Sequence, residues 1–350
     1  MNFIPYENLQ YLHGKPEGTA DLRTENTDFK VFELLPFAPS GEGEHLMLEV
    51  EKSGCNTGFV AKQLAKFFGV KDLQVTYAGL KDRHAVTRQW FGVHIPGKDN
   101  IDLSAFQLDG VTILQHARHN KKLKIGALIG NRFELTLRNV SNVTEFQQRF
   151  TEVCQTGVPN YFGEQRFGHG GNNLSKALSL FEGQKIRDKK KRSMYLSAAR
   201  SYLFNQTVSA RVLNNAFLAP SVDDVFMLAG SQSIFNVEND DEMNDIQQRF
   251  IAHDIDVTAP MWGRGELRSS GEIQQLESRI AKENEQLAVG LEQQGLKQER
   301  RRIRLNVTQP SLTKLVDKTI KVAFMLPAGC YATTVLREVV NYQDASEGQQ

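Results

Sequence analysis

One carboxylate between two permanent cations, with an imidazole beside it, is the stretch of this 350-residue sequence best suited to chemistry: Lys81-Asp82-Arg83-His84. It lies in a polar bend with Gly79, between two segments of strand character at residues 74–78 and 89–94. Neighbouring positive charge favours the ionised form of a carboxyl group, so Asp82 is expected to be a carboxylate at neutral pH. An ionised carboxylate held at a strand end can attack a sugar carbon, as in glycosidases that pass through a covalent intermediate. The same charges would equally make a solvated hairpin turn, and spacing alone does not separate the two.

The elements that must position this bend are legible from periodicity. Residues 28–34 alternate as a strand with Phe29, Val31 and Glu33 on one face, and residues 45–52 make a second strand candidate. Asn56 is a good helix cap, followed by Val60, Leu64 and Phe67 at helical spacing and by Gly69 as the stop. Further strands are expected at 111–115 and 132–138, where Phe133, Leu135 and Leu137 alternate with polar residues. Ser141 or Asn142 opens a helix carrying Phe146, Phe150 and Val153, which ends near Gly157. From Val158 to about Gln298 helical periods dominate, at 174–181, 193–215, 242–253 and 272–294. The last is expected to be one exposed helix with a single buried stripe of Leu276, Ile280, Leu287 and Leu291. Strand character returns at 302–307 and 319–326, and residues 344–350 read as a mobile polar tail. A helical block between two strand-rich ends is the pattern of an α/β (α+β) protein with an insertion.

The run Gly79-Leu-Lys-Asp82-Arg-His-Ala85-Val-Thr87-Arg-Gln89 resembles the signature of the TruD family of tRNA pseudouridine synthases, in which the aspartate is the catalytic nucleophile. Further matches, in the same order along the chain, are Gly41-Glu-Gly-Glu-His45, Gly54-Cys-Asn-Thr57, the segment from Val158 to Gly168, Leu196-Ser-Ala-Ala-Arg-Ser201 with Phe204-Asn-Gln206, and Leu326-Pro-Ala-Gly329 with Ala332-Thr333. The resemblance implies a pseudouridine synthase catalytic domain with a mixed β-sheet at residues 1–156 plus 306–350. A helix-rich TRUD insertion domain would occupy 157–305. The implied reaction is isomerisation of uridine to pseudouridine in tRNA, at uridine 13 of the D arm, on a flipped-out nucleotide. It breaks an N–C glycosidic bond and makes a C–C bond to the same sugar without redox change. No cofactor or metal is therefore expected, and tRNA is the expected partner.

By the same resemblance, Asp82 is the catalytic residue, and Phe29, Asn131 and Tyr331 match positions that contact substrate. Asn131 offers both a donor and an acceptor to the edge of a uracil. By residue type alone it would be a turn residue, and the two aromatics would be core. Tyr331 departs from the family pattern, which commonly has Phe there. Phe133 lies one strand period from Asn131, faces the same side, and resembles the family's active-site aromatic. A nucleophile in a partly dry pocket needs a cation to offset its desolvation. Arg23, at a basic position of the family, is the expected partner of Asp82, with Arg337 as a further candidate. Lys81 and Arg83, adjacent to Asp82 in a strand-like stretch, should point to the opposite side.

Composition sets the remaining bounds. Hydrophobic residues make up 40% and charged residues 24%, ordinary for a globular protein, and no apolar run approaches the roughly 18 residues of a membrane span. The start of the chain has no basic region followed by an apolar one, so a cytoplasmic location is expected. Cys55, Cys154 and Cys330 are far apart and match no zinc spacing, which reads as reduced thiols. With a net charge of +1, RNA binding would have to rely on local basic runs, at residues 116–124, 187–192 and 300–304. The glycine-rich segment 162–171, leading into a helix, could present backbone donors to a phosphate. A rival reading is an RNA-binding protein that keeps this fold without catalysis. The intact Asp82 signature with Asn131 and Phe133 argues against it. A hydrolase, suggested by His169-Gly-Gly171, lacks the GxSxG elbow that would accompany it.

Overall fold

Apolar residues at every second position from Phe133 to Leu137 make a strand that can bury one face and pair on both edges, and that strand lies within the main sheet. The computed structural model describes residues 3–97, 102–316 and 318–346 and divides into two units. One contains residues 16–154, 307–332 and 339–350 and the other residues 1–15, 155–306 and 333–338. The first 15 residues and the short segment 333–338 thus cluster with the helix-rich part of the chain.

The sheet unit contains β1 (Thr19–Leu22), β2 (Phe29–Leu34), β3 (His45–Ser53), helix α1 (Thr57–Phe68), β4 (Val75–Tyr77), β5 (Val86–His94), β6 (Val111–His119), β7 (Gly130–Arg138), helix α2 (Val143–Thr156), β8 (Thr308–Lys314), β9 (Ile320–Pro327) and β10 (Asn341–Asp344). Its strand order is β8-β9-β7-β2-β5-β3-β6, with β1 joining β7 to β10 and β4 pairing with β5. The β2–β5 and β1–β10 pairs are parallel and the other pairs antiparallel, so the sheet is mixed, as the α/β reading requires. Phe29 and Val31 of β2, Phe133 and Leu135 of β7 and Phe324 of β9 are all buried, and Phe324 meets Phe150 of α2 with ring centroids 6.4 Å apart. α1 buries Val60, Leu64 and Phe68 against Leu48, Val50, Phe91 and Val93 of β3 and β5. Each such side chain stabilises the fold by roughly 1.5–3 kcal/mol through removal from water.

In the other unit, helices at Asn172–Phe181, Lys189–Leu213 and Met243–Ile251 follow the sequence reading. The expected single helix over 272–294 is two, Gly271–Glu283 and Glu285–Gln293, broken at Asn284, whose φ of −121° and ψ of 37° lie outside the helical region. This unit also holds a four-stranded sheet, with Val225–Leu228 and Ile255–Met261 at its middle, in a stretch where helical periods were expected to dominate. Residues Ile255 to Pro260 are buried on both faces, so they present no alternation to read. The basic run 300–304 is another correction. Arg300 pairs with Glu277 and Arg304 with Asp256 in the interior, which makes these cations internal struts. In the run 187–192, Asp188 caps the helix Lys189–Leu213, accepting from Lys190 N and Lys191 N. Of the mobile tail expected at residues 344–350, Asp344 instead ends β10, which pairs with β1. Of that tail, residues 347–350 lie outside the described residues. Among the described residues no helix is long and apolar enough to cross a membrane.

Candidate active site

Asp82 sits in the loop from β4 to β5, its side chain 36% exposed. Two side chains, Thr57 and Gln89, fasten that loop to α1 and to the sheet through three hydrogen bonds. Lys81 N donates to Thr57 Oγ1 (3.0 Å), Thr57 Oγ1 donates to Gln89 Oε1 (2.8 Å), and Gln89 Nε2 donates to Gly79 O (3.3 Å). Thr57 and Gln89 are both buried, so a relay of hydrogen bonds in the interior holds the bend on either side of Asp82. The Lys81 Nζ meets Glu33 Oε2 at 2.6 Å, and because residues 80–85 form a loop the strand alternation expected for this side chain does not operate here. The other oxygen of Glu33 accepts from Trp90 N at 3.0 Å. Arg83 Nε donates to Gly54 O.

The cation that reaches Asp82 is Arg23. It follows β1 at φ 57°, a left-handed conformation that costs a non-glycine residue on the order of 1–3 kcal/mol. Nη2 of this buried side chain lies 3.3 Å from Asp82 Oδ2, and Nη1 is bound by Asp344 Oδ2 at the end of β10. The guanidinium also lies over the ring of Phe29, 3.9 Å from its centroid. Phe29 meets Phe133 edge-on at 6.2 Å, and Phe133 continues to Phe324 at 5.8 Å. Aspartate, arginine and aromatic wall are therefore one contiguous group on β1, β2, β7 and the 82 loop.

Asn131 is on β7, directly across from Glu33 of β2 and Leu326 of β9. It is buried, and its Oδ1 has no hydrogen-bond partner among the described residues. A buried acceptor without a partner is costly, and a ligand donor would relieve the cost. Tyr331 is half-buried, just past β9 and immediately before the helix Ala332–Val339. Arg337, the alternative partner for Asp82, belongs to the other unit. It donates to Leu9 O and Gln10 O and stacks on Tyr11.

With this geometry in view, comparison with known proteins decides the family. The family model described as tRNA pseudouridine synthase D (TruD) matches residues 7–177 and 172–339. The chain belongs to the TruD family. A relative from Colwellia psychrerythraea named tRNA pseudouridine synthase D is 54% identical over 343 residues, covering 95% of this chain and 93% of its own. One of the same name from Shewanella oneidensis is 50% identical, covering 97% and 91%. The crystal structure of a TruD protein from Methanosarcina mazei superposes with a TM-score of 0.71 over 97% of this chain and 96% of its own. At 22% identity that likeness speaks for the fold alone.

Three residues around the candidate site are not singled out in the sequence reading. Asp344 was read as tail. Glu33 shares a face with Phe29 and Val31 in the sequence reading, which does not pair it with Lys81. Lys52, the third, is fully buried in β3, and its Nζ donates to Cys55 O and to Asp82 O, each at 2.8 Å. A readable signal existed for Lys52, because strand alternation puts it on the same face as Leu48 and Val50. Burial pushes its ammonium down to about 8 from the usual lysine range, against the upward pull of the Asp82 carboxylate.

Proposed function

We propose that this TruD-family enzyme isomerises uridine to pseudouridine in tRNA, at uridine 13 of the D arm, with Asp82 as the nucleophile on a flipped-out nucleotide. The target base leaves its stack, at a cost of a few kcal/mol, and enters against the wall of Phe29 and Phe133. Asn131 Oδ1 accepts from the imide N–H of the uracil, and Tyr331 adds a ring beside it. The Asp82 carboxylate attacks the anomeric carbon as the N1–C1′ bond breaks. The base turns, C5 bonds to C1′ as the Asp82 O–C1′ bond breaks and returns the carboxylate, and the proton lost from C5 balances the one gained at N1. Arg23 holds the carboxylate in place without neutralising it chemically, since a guanidinium stays protonated throughout. Residues 16–154 with 307–332 and 339–350 act as the catalytic domain and the helix-rich segment as the TRUD insertion.

The observation that carries this reading is the contact set in which Arg23 touches both Asp82 and the face of Phe29. A carboxylate, its cation and an aromatic platform are what an extruded nucleoside needs at the reacting carbon. The test uses tRNA carrying tritium at uridine C5. Label release by the wild type and none by Asp82→Ala is the expected result, with the modified nucleotide mapping to position 13. Tight tRNA binding without release by the wild type would instead favour a non-catalytic RNA-binding protein.

A further inference from the structure

Lys52 closes the buried row Leu48, Val50, Lys52 on β3. An ammonium is an expensive group to bury, and one is rarely found in the interior without a carboxylate bound to it. The two partners of this one are main-chain carbonyls, of Cys55 and of Asp82. A methionine would fill similar space on an apolar strand face without the desolvation cost. What the lysine adds is a positive charge and N–H donors aimed at the backbone of residue 82. Its cross-strand neighbours, Thr87 on β5 and Val111 on β6, do not titrate in the working range. The groups that act on its charge are Asp82 and Cys55, which favour the protonated form, and Lys81, which opposes it.

We infer that Lys52 is a positioning residue for the isomerisation: its ammonium ties the chain at Cys55 to the backbone of Asp82, fixing the nucleophile and placing a positive charge behind it. This rests on Asp82 being the nucleophile. Deprotonation of Lys52 removes the charge and one N–H donor, so the clamp belongs to the protonated form and loosens as pH rises through about 8.

The experiment follows tritium release from C5-labelled tRNA by the full-length wild type, Lys52→Met, Lys52→Arg and Asp82→Ala, across about pH 6–9. Lys52→Met is expected to lower kcat by about 50-fold or more while KM for tRNA stays within about twofold, because the clamp acts on the reacting group and not on RNA docking. Lys52→Arg restores part of kcat. The wild-type kcat should fall above about pH 8, and Lys52→Arg should carry that fall to higher pH, whereas ionisation of the uracil itself is common to both proteins. A wild-type kcat that stays level up to about pH 9 overturns the inference, whatever the variants do. So does a Lys52→Met enzyme as fast as the wild type. If Lys52→Met fails to fold, as read by circular dichroism, the wild-type and Lys52→Arg profiles still decide. Label release by Asp82→Ala would remove the nucleophile assignment itself. Silence of Asp82→Ala beside a fully active Lys52→Met would remove only the role of Lys52.

Discussion

Arg23 is shared between two carboxylates, with Nη2 3.3 Å from Asp82 and Nη1 bound by Asp344. Arg23 is buried and the Asp344 side chain is 10% exposed, while Asp82 keeps more access to solvent at 36%. Asp344 therefore anchors the guanidinium, and Asp82 is the carboxylate left accessible to a substrate.

Arg23→Ala removes the only charge-assisted donor observed on the Asp82 carboxylate among the described residues. Single-turnover label release should slow by on the order of 10²-fold, a size typical of losing one preorganised electrostatic contact. Arg23→Lys should recover only part of the rate, because a point charge cannot bind two carboxylates in fixed fork geometry and stack on Phe29.

Asp344→Asn tests the anchor. Losing this charge-assisted bond should destabilise the protein by about 1–3 kcal/mol, measured as a lower denaturant midpoint. Label release should slow on the order of tenfold as Arg23 loses its fixed orientation. An unaltered rate alongside lowered stability would show that Asp344 serves the fold alone.

Asn131→Ala separates substrate recognition from folding. Asn131 Oδ1 has no partner among the described residues, so deleting it should cost less than about 1 kcal/mol of stability. If that oxygen accepts from the uracil, kcat/KM should fall by about 10–100-fold. A large loss of stability with unchanged kinetics would contradict the assignment.

His45 lies opposite both His94 and His119 in the sheet, with the His94 ring centroid 4.9 Å away. Burial, reinforced by His94 and by the Lys122 and His119 charges, lowers its proton affinity in the folded state, with Glu44 opposing. The unfolded chain then binds more protons below the ordinary histidine pKa, so this contribution to stability is present above about pH 6.5 and is lost as pH falls below it. Melting temperature should drop from pH 7.5 to 5.5, and His45→Gln should flatten that drop. A slope unchanged in the variant would assign it to other groups.

Much of the sheet unit was legible because its chemistry is local. Phe29, Val31 and Glu33 on one face of β2, and Phe133, Leu135 and Leu137 on one face of β7, follow from a two-residue period that requires no partner. The sheet in the helix-rich unit was not legible, because a strand covered on both faces carries no alternation, and the break at Asn284 has no proline or glycine to mark it. The sequence alone determined which face each strand offers, since backbone period is a property of neighbouring residues, and its family signature pointed to Asp82 as the candidate for the chemistry. Only the tertiary structure decided that Asp344, 262 positions from Asp82 in the numbering, binds the other arm of Arg23, and that Lys52 grips the backbone of Asp82. Strand pairing brings such residues together, and nothing in either local segment records which distant strand will arrive beside it.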